Sequence, residues 1–145
     1  MHLNNFALPN ELQTWADDFR AVAMRRKINI EVDTSAVDTE AMVIADRDKL
    51  EHIYFNLMSN SLKYTPEGGC ITTSLQHKDG FYTLRVADTG KGISADELPR
   101  LFERFYQAKG AIGGTGIGLS LVKAYVDMHN GDVHAESEPG KGPTF

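Results

Sequence analysis

Asn56-Leu57-Met58-Ser59-Asn60-Ser61-Leu62-Lys63-Tyr64 is the stretch on which the reading of this chain turns. Asp46 can cap a helix ahead of it, and Thr65-Pro66-Glu67-Gly68-Gly69 stops that helix after it. A helix is therefore predicted from Asp46 to about Lys63. Asn56 and Asn60 stand four residues apart, with Lys63 and Tyr64 a further turn on, so all four share one side. Leu50, Ile53, Leu57 and Ser61 form a neighbouring, more apolar stripe. Asparagine is a poor mid-helix residue, so two of them need a reason. A carboxamide oxygen can bind a hard cation such as Mg²⁺, which takes a few protein oxygens beside phosphates and water. Lys63 can touch a phosphate, and Tyr64 can pack against a base. The same spacing also fits a solvated helix face with an incidental asparagine pair.

Outward from this helix, the chain alternates helical and strand patterns. Leu12, Trp15, Ala16, Phe19 and Val22 or Ala23 recur at helical spacing, which predicts a helix over Asn10–Lys27. Ile28, Ile30 and Val32 alternate with polar residues as a strand, and Ala41–Ile44 reads as a short one. Ile71–Gln76 and Phe81–Ala87 read as two strands joined by a Lys78-Asp79-Gly80 hairpin. Ser94-Ala95-Asp96-Glu97 has capping-box spacing for a short helix. A third long helix is predicted from about Gly116 to Asn130-Gly131, with Gly131 at the left-handed cap position. A strand at Asp132–Ser137 and a Gly140-Lys141-Gly142 turn follow. Interspersed elements with one hairpin predict a single mixed sheet with helices on one face.

The glycines are concentrated. Of 13, seven fall between Asp88 and Leu119: Gly90, Gly92, Gly110, Gly113, Gly114, Gly116 and Gly118. Gly113-Gly114-Thr115-Gly116-Ile117-Gly118 leads straight into a helix, whose free N–H groups make a phosphate seat. Asp88-Thr89-Gly90-Lys91-Gly92-Ile93 follows directly on a strand. A carboxylate at a strand end can accept from an exocyclic amine such as that of adenine, although taken alone this stretch reads better as a tight turn. The chain has no G-x-x-x-x-G-K-[ST], and Gly114 and Gly116 are followed by Leu119, which breaks G-x-G-x-x-G. A P-loop, a dinucleotide fold and a Ser/Thr/Tyr kinase fold are disfavoured. His2, His52, His77, His129 and His134 show no metal spacing with the lone Cys70 and read as satisfied or solvent-facing. No G-x-S-x-G elbow is present.

Composition narrows the class. The 145 residues suit one domain, and a 41% apolar share supplies a core. Lys and Arg total 15 against 20 Asp and Glu, and a net charge of −5 argues against a nucleic-acid backbone binder. One cysteine fits a reducing compartment. No apolar run spans a membrane and no secretory signal opens the sequence, so direct membrane contact is not expected.

Taken together, Asn56…Asn60…Lys63-Tyr64, Asp88-x-Gly90-x-Gly92, Phe102-Glu103-Arg104-Phe105 and Gly114-x-Gly116-x-Gly118-Leu119 resemble the N, G1, F and G2 boxes of two-component sensor histidine kinases. The match runs over about residues 10 to 145. The resemblance implies the Bergerat-type α/β (α+β) two-layer sandwich of gyrase, a heat-shock chaperone family and mismatch-repair ATPases. Its mixed, mostly antiparallel sheet carries about three helices on one face. It implies an enzyme domain over 1–145 that uses ATP and Mg²⁺ and transfers phosphate to a histidine on a separate dimerisation domain, with a response-regulator receiver domain as a further partner.

By the family pattern, Asn60 binds Mg²⁺, Asn56 assists at phosphates or metal, Lys63 contacts phosphate and Tyr64 flanks the nucleotide. Asp88 accepts from the adenine amine, and Gly90, Gly92 and Ile93 shape the pocket. Gly114, Thr115, Gly116, Gly118 and Leu119 hold the phosphates and one end of a lid over residues 106 to 113. Phe105 and Lys109 border or belong to that lid, and Thr144 matches a threonine near adenine. Hydrolytic relatives carry glutamate where Asn56 stands, so transfer is favoured over hydrolysis. Ser61 replaces a frequent alanine and is expected to matter little. No histidine here is followed by Asp or Glu, so the acceptor segment is expected to be absent and the chain to bind ATP without phosphorylating itself. The expected setting is a larger sensor kinase, as the cytoplasmic part of a membrane-anchored protein. Two other readings use the same fold: an anti-sigma-factor-type serine kinase and a non-catalytic nucleotide-binding module.

Overall fold

A computed structural model describes residues 1–38, 42–78, 80–90, 102, 118–133, 136–138 and 142–144. The elements are β1 (Asn4–Ala7), α1 (Leu8–Arg25), β2 (Asn29–Asp33), β3 (Met42–Ala45), α2 (Arg47–Tyr64), β4 (Cys70–Lys78), β5 (Phe81–Asp88), α3 (Gly118–Met128), β6 (Glu136–Glu138) and β7 (Gly142–Thr144). The predicted helix at Ser94–Glu97 lies outside the described residues.

The single sheet expected from the sequence is two sheets. Five strands run in the order β2-β4-β5-β7-β6, and β1 pairs with β3 as a separate antiparallel ribbon. The ribbon strands have four residues each, and Asp46 turns the chain into α2 at once. Phe6 and Ala45 face the core while Met42 and Ile44 face solvent. In the larger sheet β2 is parallel to β4, whereas β4–β5, β5–β7 and β6–β7 are antiparallel. Ile71, Thr73 and Leu75 of β4 alternate into the interior, as period-two strand geometry requires. The β4–β5 hairpin turns through Gly80 at φ +82°, a left-handed position that glycine adopts without a Cβ clash.

All three long helices form. α1 begins two residues before the predicted start because Pro9, with its fixed φ, sits in the first turn. It ends in a Schellman arrangement: Ile28 N–H bonds the Ala23 carbonyl and Lys27 N–H the Met24 carbonyl. Lys27 occupies the left-handed position at φ +55°. Lys27→Gly is expected to raise unfolding stability by about 0.5–1 kcal/mol, since a Cβ there is strained. A urea melt checks this; an unchanged or lower midpoint contradicts it.

α2 is capped by Asp46, whose carboxylate accepts from Lys49 N–H at 3.1 Å. α3 packs on α2, and His129 fixes its end. His129 Nε2 accepts the Asp46 backbone N–H at 3.1 Å, and Nδ1 donates to the Tyr125 carbonyl at 2.8 Å, as a neutral Nδ1–H imidazole does. The left-handed residue after α3 is Asn130 at φ +56°, not Gly131. Asparagine tolerates this conformation, and Gly131 N–H then closes on the Val126 carbonyl. The strand expected at Asp132–Ser137 begins at Glu136, and Gly142 opens β7 rather than only a turn.

The core lies between the helices and one sheet face. Leu12, Trp15, Tyr54, Met58, Ile71, Leu75, Val86 and Val122 are essentially fully buried. Tyr54 Oη and Thr73 Oγ1, 2.9 Å apart, tie α2 to β4 inside it. Among the described residues, no helix is long and apolar enough to cross a membrane.

Candidate functional site

The C-terminal end of α2 meets the C-terminal end of β5. Gly90 makes this approach possible: a Cβ built there would lie 2.5 Å from the Tyr64 carbonyl oxygen and 2.9 Å from Asp88 Oδ1. Only a residue without a side chain lets β5 come this close to the last turn of α2. Arg26 holds that turn from behind. Its guanidinium donates to the Thr65 carbonyl at 2.9 Å and to the Leu62 carbonyl, two of the acceptors a helix end leaves open.

Asp88 is the chemical centre of the junction. It is 5% exposed at the end of β5. Its Oδ1 accepts the Gly90 N–H at 2.8 Å, while Oδ2 is buried without a hydrogen-bond partner. Burial pushes its carboxyl above the usual range, against the opposing pull of the Gly90 amide and the nearby Ser61 hydroxyl. Ser61 lies close enough to favour the charged form, yet no full hydrogen bond joins the two. Four buried side-chain polar atoms are orphaned among the described residues, and three lie here: Ser61 Oγ, Thr65 Oγ1 and Asp88 Oδ2. Buried polar groups are rarely left so, because each costs about 1–3 kcal/mol. A carboxylate oxygen held in this way can accept a hydrogen bond from an amine.

Asn56, Asn60, Lys63 and Tyr64 are all half-buried on α2. Asn56 Nδ2 donates back to the His52 carbonyl at 2.8 Å, which commits the amide nitrogen and leaves the oxygen as the acceptor for a ligand. Asn60 makes no side-chain hydrogen bond among the described residues. Lys63 Nζ lies 5.6 Å from the Tyr64 ring centroid. No group of three or more His, Cys, Asp or Glu side chains could hold a metal among the described residues. A single amide oxygen beside phosphates and water is a donor set that suits Mg²⁺, which seldom uses an all-protein cage.

The Tyr64 backbone meets Gly90 and Asp88 at this junction, and Asn60 and Lys63 lie on the last turns of α2 that lead to it. Gly118 opens α3, and Leu119, half-buried on its first turn, packs against the core. Thr144 pairs with Ala87, so its backbone stands beside the end of β5. Phe102 also packs against the core. Gly92, Ile93, Phe105, Lys109, Gly114, Thr115 and Gly116 lie outside the described residues. Ser61, expected from the sequence to matter little, is fully buried with its hydroxyl unpartnered beside Asp88.

The family described as histidine kinase-, DNA gyrase B-, and HSP90-like ATPase matches residues 45–145. The histidine protein kinase DivJ of Caulobacter vibrioides is 42% identical over 92% of this chain, and the chain spans only 24% of that protein. The catalytic domain of histidine kinase ThkA, in a nucleotide-free form, superposes with a TM-score of 0.89 at 24% identity, covering 100% of this chain and 95% of that one. ThkA in complex with the response regulator protein TrrA matches with a TM-score of 0.82 at 20% identity, over 99% of this chain and 40% of that one. Full-length ShkA in complex with AMPPNP matches with a TM-score of 0.88 at 29% identity, over 100% of this chain and 30% of that one.

Proposed function

Because this chain belongs to the histidine kinase-, DNA gyrase B-, and HSP90-like ATPase family, we propose that it is the ATP-binding catalytic domain of a sensor histidine kinase, transferring the γ-phosphate to a histidine on a separate dimerisation domain. The observation that carries this reading is Asp88, a buried carboxylate with one oxygen spent on Gly90 and the other waiting for a donor. The adenine amine is such a donor. Asn60 would hold Mg²⁺, with Asn56 assisting, and Lys63 would meet a phosphate while Tyr64 flanks the nucleotide. When bound, Mg²⁺ neutralises charge on the phosphates, which suits a transfer governed by positioning more than by covalent chemistry.

Phosphate transfer to a protein acceptor is favoured over hydrolysis by Asn56. A carboxamide cannot take a proton from water, and its nitrogen is already committed to His52. Gly92, Ile93, Phe105, Lys109, Gly114, Thr115, Gly116, Gly118, Leu119 and Thr144 complete the proposed nucleotide site as the family pattern assigns them. The domain would work with its dimerisation domain and a response-regulator receiver, in the cytoplasmic part of a membrane-anchored sensor.

Asn60→Ala tests the metal assignment. The variant is expected to fold and to bind ATP, but with no tightening on adding Mg²⁺. Calorimetric titration with and without the cation reads this. Undiminished Mg²⁺ dependence would remove Asn60 as the ligand.

A further inference from the structure

The Ser61 hydroxyl is not explained by packing. A serine inside a helix has an easy partner in the carbonyl four residues back, and that bond is the usual fate of a buried hydroxyl there. Ser61 does not make it. It is 0% exposed, and its Oγ has no partner. Asp88 Oδ2 is equally buried and equally unpartnered. A donor and an acceptor thus sit near one another at the junction of α2 and β5, each left without a completed bond. Alanine at position 61 is the better helix former, and it would remove an orphaned polar atom.

We propose that Ser61 is a second base-reading residue, whose hydroxyl donates to the ring nitrogen next to the amine-bearing carbon of adenine while Asp88 Oδ2 accepts from the amine. This rests on the reading of the site as an ATP site and adds to it a specificity determinant. The two groups match two adjacent atoms of the base, a donor and an acceptor in fixed order. Guanine presents the reverse order, a carbonyl where adenine has its amine and an N–H where adenine has its bare nitrogen. The carbonyl would face the Asp88 carboxylate. Ser61 therefore extends adenine recognition from one atom to two.

The test compares ATP with its deaza analogue, in which C–H replaces that ring nitrogen and the amine is kept. The intact chain is expected to bind the analogue roughly three- to tenfold more weakly than ATP, the size of one net hydrogen bond. Ser61→Ala is expected to bind ATP more weakly by a similar factor, to lose the difference between ATP and the analogue, and to melt at or above the parent temperature when free of nucleotide. If Ser61 only supported Asp88, Ser61→Ala would weaken both nucleotides alike and keep the difference between them; that result overturns the proposal. So does an intact chain that binds ATP and the analogue equally. A folded chain that binds neither would overturn the ATP reading itself, a distinguishable failure.

Discussion

Asp88→Asn is expected to weaken ATP binding by about 1–3 kcal/mol, roughly five- to 150-fold in Kd. The substitution keeps the shape and leaves an oxygen for the Gly90 N–H. It places an NH₂ where Oδ2 stood, so two donors face each other when adenine enters. Folding should respond differently. Burial holds the Asp88 carboxyl above its usual range. A carboxyl with a raised folded pKa binds more protons in the native state than in the unfolded one. Stability therefore falls as pH rises from the ordinary carboxylate range through the raised value, and is flat above it. Asp88→Asn removes that decline. Calorimetry with ATP, and urea melts in acid and at neutrality, read the two effects separately. A variant with parental ATP affinity would dismiss Asp88 as the base-reading group. A decline with pH that survives the change would assign that titration elsewhere.

Gly90→Ala is the second large effect. Its Cβ would meet backbone atoms of Tyr64, at 2.5 Å to the oxygen and 3.1 Å to the carbon, and Asp88 Oδ1 at 2.9 Å. The Tyr64 carbonyl belongs to the last turn of a helix that Arg26 clamps at Leu62 and Thr65, so that side gives way poorly. The end of β5 must move instead, and it takes Asp88 with it. Overpacking of this kind costs about 1–3 kcal/mol of stability. ATP affinity should fall more than tenfold on the same positioning argument, since misplacing the carboxylate loses its hydrogen bond. A melt and a titration check both; a variant indistinguishable from the parent in each would contradict the close approach of α2 and β5.

Local signals carried much of this architecture into the sequence. Asp46 reads as a cap because a carboxylate satisfies helix N–H groups, and the Lys49 amide bears this out. The 3.6-residue period of Leu12, Trp15, Ala16 and Phe19 marks α1, and every one of them is buried. β1 was illegible: Asn4-Asn5-Phe6-Ala7 has no alternation, and it is a strand only because β3 lies 35 to 41 positions away in register. The left-handed cap went to Asn130 rather than Gly131 for a similar reason, since one residue of helix length decides which side chain reaches that position. At the site, the asparagine pair and Asp88 were readable as residue types in a pattern. Ser61 was not, because a hydroxyl left unpaired is a fact of packing and not of spacing.

The junction of α2 and β5 is the proposed ATP site. Calorimetric titration of the chain with ATP, with and without Mg²⁺ and with GTP as the control, tests it most directly. Saturable binding of ATP, strengthened by Mg²⁺ and much weaker for GTP, is expected. Equal binding of the two nucleotides, or none of either by the folded chain, would contradict it.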